Sequence, residues 1–306
     1  MRIRIQPWWY AALLTAACAA LMLAVYWTRF RSPASPSQLT ALLPAKDATV
    51  VYIDVDALRR AGLLNLIAGS KAAQELEYQQ FVDQTLFDYK QDLDAVAAAF
   101  RKGDSFFALR GRFHWKELMA YAVQQGGSCH NGFCSFGGST PSRHISFYPI
   151  RGNVMGLAIS SSAEEAAWLV RKGSGSTWTP PSQPVWMLVP AARITDTESI
   201  PEGMRPFASA LKGTQEILLS VGPQDSRLAL KFQVTCESAA TASTLLVDLE
   251  SASNSVRTEL AKQHGKSQPG DLGEMLSQGS FRREDRRVYG DWPIERSTLE
   301  ALFASP

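Results

Sequence analysis

The chain has 306 residues, 45% of them hydrophobic and 20% charged, the balance of a folded globular protein rather than a disordered one. Thirty-one Lys and Arg face 29 Asp and Glu, and the resulting net charge of +2 excludes the strongly basic footprint of a nucleic-acid binder. A chain of this length buries about three quarters of its unfolded surface, so its core needs no support from metals or from a dense disulfide framework.

The N-terminus reads as a membrane anchor, residues 1–31. From Trp8 to Trp27 there are twenty residues without a charge, about 30 Å as a helix, which matches a hydrocarbon core. Trp8, Trp9 and Tyr10 stand at one end and Tyr26 and Trp27 at the other, where amphipathic rings favour the membrane interface. A cleaved secretory signal would have a shorter apolar region and a small-residue cleavage site. "LTAAC" before Cys18 has a poor residue for lipoprotein cleavage in Thr15, and apolar residues continue beyond it. Arg2, Arg4 and the terminal amine balance Arg29 and Arg31, so charge alone does not orient the span. Only seven residues precede it, which suits a signal-anchor with the bulk exported. The expected setting is a bacterial inner membrane, single-pass, with the lipid bilayer as partner and the body on the periplasmic or extracellular side.

Residues 32–44 form a Pro/Ser-rich tether. The first expected unit, 45–172, opens with "ATVVYIDV", a β-branched run that reads as a buried strand. "DALRRAGLLNLI" follows as a helix with Asp56 at its N-cap. Val82, Leu86, Tyr89, Leu93, Val96 and Phe100 recur at helical spacing and predict one long amphipathic helix over about 72–101. "DSFFALRG" predicts a strand and "FHWKELMAYAVQQGG" a helix ending in glycines. "RHISFYPI" and "NVMGLAIS" predict two strands. "SSAEEAAWLVRKG" predicts a helix, with Ser162 and Glu165 in capping-box spacing.

Taken together, "QDLDAVAAAF", "ALRGRFHWKELMAYA" and "VMGLAISSSAEEAAWLV" resemble uncharacterised membrane-anchored or exported bacterial proteins, over roughly residues 45–172. The resemblance implies a structural pattern and brings no activity to any residue.

"GSGSTWTPPSQP" sets residues 173–184 apart as a linker. The second expected unit, 185–306, has strands at "VWMLVPA", "TQEILLSVG" and "RLALKFQVT", a short helix at "MRPFASAL", and a long helix over "ESAATASTLLVDLESASNSVRTELAKQHG". "GLAISSSAEEAAWLV" and "LKFQVTCESAATASTLLV" share a strand, a small polar cap and an Ala-rich helix. The expected fold class is therefore α+β: a single transmembrane helix, then a duplicated unit of antiparallel or mixed sheet covered by helices.

The stretch "GGSCHNGFCSFGG" holds Cys129 and Cys134 with His130 between them. Three readings compete. A zinc site needs four ligands, and the adjacent Cys129 and His130 would both have to turn toward one ion. The C-x4-C spacing departs from redox C-x-x-C. A disulfide closing a hairpin around Asn-Gly suits an exported protein, and two free thiols are the remaining alternative. Cys129 bonded to Cys134, with Cys236 free, is the expected state.

Other motifs fall short of chemistry. Asp54 and Asp56 follow a strand as metal-binding carboxylates do, but "ALRR" continues the helix, so Asp56 is expected to cap it and Asp54 to face solvent or an arginine. "HGKS" (264–267) lacks the second glycine of a phosphate loop and follows a helix. In "FRREDRRVYGDW", Arg282, Arg283, Arg286 and Arg287 are candidates for contact with an anionic surface, against the simpler reading of a solvated hairpin with cross-strand ion pairs. No G-x-S-x-G and no H-E-x-x-H is present. His114, His130, His144 and His264 are scattered. No catalytic residue, metal ligand or cofactor is expected. The functional expectation is a non-enzymatic, tethered interaction or scaffold protein of the bacterial envelope, with an envelope protein as partner. The alternatives are a binder of lipid or a small apolar ligand in a groove between the two units, and an enzyme with an unsignalled active site. A large apolar pocket would favour the binder.

Overall fold

A computed structural model describes residues 34–64, 76–140, 142–171, 179–194, 211, 213–224, 227–262 and 278–294. The expected anchor, with Trp8, Trp9, Tyr10, Tyr26 and Trp27, lies outside them, as do "MRPFASA" (204–210) of the expected short helix and "HGKS". From Pro36 onward the chain is one compact body.

Its frame is a single antiparallel sheet of twelve strands among the described residues. In chain order these are β1 (Thr49–Asp54), β2 (Leu93–Phe100), β3 (Ser105–Gly111), β4 (Ser128–His130), β5 (Phe133–Gly137), β6 (His144–Arg151), β7 (Val154–Ser160), β8 (Val185–Pro190), β9 (Thr214–Gln224), β10 (Arg227–Cys236), β11 (Ser280–Glu284) and β12 (Arg287–Ile294). The helices are α1 (Pro36–Thr40), α2 (Val55–Arg60), α3 (Leu76–Thr85), α4 (Tyr89–Asp92), α5 (Trp115–Gln124), α6 (Glu165–Arg171), α7 (Ala191–Ile194) and α8 (Ala239–Lys262). Across the sheet the order is β11-β12-β10-β9-β8-β1-β2-β3-β7-β6-β5-β4. Outward from the central pair, β8-β9-β10-β12-β11 and β1-β2-β3-β7-β6 follow the same path in opposite directions, and the β4–β5 hairpin extends the second.

This corrects the expected fold class. There are not two units with a sheet each: β1 pairs antiparallel with β8, Val50 opposite Leu188 and Ile53 opposite Val185, so one sheet runs through both. No strand pair is parallel among the described residues, helices are few, and no described helix is long and apolar enough to cross a membrane. The strand–helix match drawn from sequence also pairs the wrong elements. It sets β7–α6 beside β10–α8, whereas the strand occupying β10's place in the mirrored order is β3, which leads into α5.

The expected helix over 72–101 is corrected as well. α3 stops at Thr85, Leu86 turns with φ +54, α4 adds one turn, and Leu93–Phe100 is strand. Alanine-rich sequence has strong helix propensity, but β2 is enclosed between β1 and β3, and that pairing wins. Its small side chains suit the position. Tyr52, Ala97, Ala108 and Gly156 stand in one row across β1, β2, β3 and β7. A Cβ on Gly156 would lie 3.1 Å from Leu169 of α6, so the glycine lets that helix come close.

Helices cover the opposite face in three patches. α8 seats Ala242, Leu245 and Leu249 on Ile217, Val234 and Val288. α5 seats Leu118 and Ala122 on Cys134, Phe147 and Met155. α2 seats Val55 and Leu58 with Ile53, Val96, Val185 and Leu228 around them. The cap of α2 differs from expectation. Asp54, not Asp56, accepts the Ala57 N–H at 2.9 Å, while Asp56 pairs with Arg59 and Arg60 at 3.2 Å each. The chain leaves β1 with extended backbone at Asp54, which brings that carboxylate onto the first turn. At α6 the Ser162 hydroxyl accepts the Glu164 N–H at 3.4 Å.

Candidate functional site

The cysteine hairpin is where sequence and structure meet most directly. Asn131 and Gly132 have φ +51 and +81, the signature of a two-residue type I′ turn between β4 and β5. The turn's closing pair is His130 and Phe133, so the next pair outward is Cys129 opposite Cys134. That pair is of the close kind in an antiparallel ladder, and its Cα atoms are 4.1 Å apart. Cys129 and Cys134 form a disulfide. Cys134 is buried under α5. Phe136 meets Tyr121 edge-on and seats the hairpin on the body. Cys236 is a buried free thiol, pushed up from its ordinary value by that burial.

His114 sits at the start of α5 without a side-chain cap bond, and His144 begins β6. Among the described residues no group of three or more His, Cys, Asp or Glu is placed to hold a metal ion.

The four arginines lie at the β11–β12 hairpin and do not form one patch. Arg282 stacks over the Tyr289 ring, 4.2 Å from its centroid, and contacts Glu284. Arg283 points to the other face of the sheet and donates to the Asp285 carbonyl at 3.1 Å. Arg286 is in the turn, 4.0 Å from Asp285, and Arg287 stands opposite Glu284. Burial pushes the Glu216 carboxyl on β9 up from its ordinary value, and Arg287 opposes that shift.

Sequence reasoning missed two concavities formed by the described residues. The larger is an apolar cavity of about 540 Å³ beneath α2, at the end of the central strands. Leu58 and Ala61 line it from the helix, and Val185, Val221, Leu230 and Ile294 from β8, β9, β10 and β12. The segment 181–184 closes one side, anchored by the Asp54 N–H, which donates to the Pro184 carbonyl at 2.7 Å. The charged group in this lining, Asp54, is already engaged as a helix cap. Nearby, Tyr52 and Trp186 stack at 5.5 Å across the β1–β8 seam, both 1% exposed.

The second concavity is a groove of about 340 Å³ over β9, β10, β12 and β11, with Leu218, Phe232 and Phe281 among polar lining residues. In one row across these strands stand Ser220, Lys231, Asp291 and Ser280; the next row holds Gln233, Tyr289 and Arg282. Pro181 and Gln183 belong to both linings, while the strand residues that line the two concavities alternate and so face opposite sides of the sheet. The 181–184 segment falls in the expected linker, and its Pro-rich composition gave no sign that it would be a wall.

No protein-family model and no curated protein matches the chain. Among solved structures it is similar to crystal form IV of TP0453, with a TM-score of 0.45 and 12% identity over 87% of this chain and 96% of that one. It is similar to crystal form III of the same protein with a TM-score of 0.48 and 10% identity, over 87% and 98%. Both TM-scores fall below 0.5, and the likeness carries no argument about function.

Proposed function

We propose that this protein binds a small apolar ligand, of the size of a short acyl chain, in the cavity beneath α2. The supporting observation is the cavity itself: about 540 Å³, within the range of roughly 300–1,000 Å³ typical of ligand sites, with a predominantly apolar lining. Such a space left empty forfeits the dispersion contacts that a packed core would make. Its one carboxylate is committed to the α2 cap, so the lining favours uptake of apolar groups over charged ones. The tethered, extracytoplasmic setting expected from residues 1–44 belongs to the same proposal, with the bilayer as the source of apolar ligands.

The test is uptake of the apolar dye N-phenyl-1-naphthylamine by the full chain held in amphipol. Its fluorescence is expected to rise and saturate, and Val221→Trp, which places an indole in the cavity, is expected to weaken uptake at least tenfold with the circular dichroism unchanged. Ala57→Phe fills the same space from the helix side and serves if Val221→Trp does not fold. Undiminished uptake by folded variants of both kinds places the dye elsewhere and refutes the proposal.

A further inference from the structure

We infer that the groove over β9, β10, β12 and β11 is a second binding site, one for an uncharged saccharide. Its polar strand lining faces the other side of the sheet from the strand lining of the apolar cavity, and it does not depend on the cavity reading. The first ground is a change along one row of the sheet. The row that holds Ala97 and Tyr52 continues through Trp186 to Ser220, Lys231, Asp291 and Ser280. Ala97, Tyr52 and Trp186 are buried, and α6 packs on the same row at Gly156. Beyond Trp186 the row turns polar and opens into the groove, which Pro181 and Gln183 also line. Ser220 is 6% exposed, yet its hydroxyl has no hydrogen-bond partner among the described residues. A buried hydroxyl left unmatched by its own chain calls for a partner from outside it.

The second ground is the charge pattern. Arg282 is engaged by Glu284 and by the Tyr289 ring. Lys231 and Asp291 stand directly opposite each other on β10 and β12, yet form no ion pair among the described residues. An anion would meet Asp291 and a cation would meet Lys231, so the pair disfavours net charge of either sign. A hydroxyl accepts from the ammonium and donates to the carboxylate at once. Side chains opposite each other in an antiparallel ladder have Cβ atoms about 5 Å apart, so neighbouring hydroxyls of one sugar ring reach both. Gln233, in the next row, adds an amide that donates and accepts. Leu218 stands opposite it and offers an apolar surface to the C–H face of the ring.

The experiment is saturation-transfer NMR on the full chain in amphipol, read against amphipol alone. The probes are maltotriose, cellotriose and mannotriose, with glucose 6-phosphate and glucosamine as charged sugars. At least one neutral trisaccharide is expected to bind, with transfer that saturates, and to bind more tightly than either charged sugar. Asp291→Ala is expected to weaken that binding about tenfold, the loss of one charge-assisted hydrogen bond. Gln233→Ala is expected to weaken it less, and both variants to take up N-phenyl-1-naphthylamine as the parent does. Three results overturn the assignment: no transfer to any of the three trisaccharides, tighter binding of glucose 6-phosphate or glucosamine, or trisaccharide binding undiminished in both folded variants.

Discussion

Tyr52 places a polar atom at the centre of the sheet without a hydrogen-bond partner among the described residues. Burial, reinforced by the Asp54 carboxylate, pushes its ionisation up to about 12, against the opposing effect of Arg110. An unsatisfied buried hydroxyl costs about 1–3 kcal/mol. Tyr52→Phe keeps the ring on Trp186 and removes the hydroxyl, so at neutral pH it is expected to stabilise the protein by about 1 kcal/mol. The sign with pH follows from the raised value. The folded state holds the phenol proton to about 12, whereas the unfolded chain releases it near the ordinary value of about 10. Stability from this group is therefore full below about pH 10 and declines above it. The phenylalanine variant lacks that decline. Urea denaturation at pH 7 and pH 11 measures both effects, and a less stable variant at pH 7 would mean that the hydroxyl is bonded after all.

Among the elements, β2 shows how far sequence carried and where it stopped. The β1, β3, β8, β9 and β10 strands were legible because β-branched and apolar runs dominate them, and α5 and α8 because their period is helical. The hairpin at Asn131–Gly132 was legible because that dipeptide has its own turn chemistry. β2 was not: "LDAVAAAF" is locally helical, and only its two neighbours in the sheet decide otherwise. The cavity was illegible for a related reason. Leu58, Val221 and Ile294 look like core residues, and no local pattern tells a packed apolar wall from an open one. The alanines of β2 give a test. Ala97 is fully buried between Tyr52 and Ala108 in its row. Ala97→Leu is expected to cost about 2 kcal/mol through overpacking, although leucine is also a good helix former. The shift of the urea midpoint at constant slope measures it; no loss would mean that free space lies above Ala97.

At the scale of the whole molecule, the β1–β8 pairing makes the folded body one cooperative unit despite its mirrored strand order. Native-state hydrogen exchange is expected to show the amides of β3 and β10, far apart on either side of the seam, exchanging through the same global opening with equal free energies. Two separate free energies, one for each side, would show that the seam yields before either side does. Among the described residues a sheet this wide has two ends, and their chemistry has a consequence for how the protein behaves in company. One end is β4, three residues long and cross-linked to its neighbour through Cys129; the other is β11, carrying Arg282, Arg283 and Glu284. Unpaired backbone at a sheet margin is a template on which further chains can stack into fibres, and brevity and charge are the two commonest deterrents. Copies crowded together at high local density are expected to be hindered from zipping margin to margin by these two features.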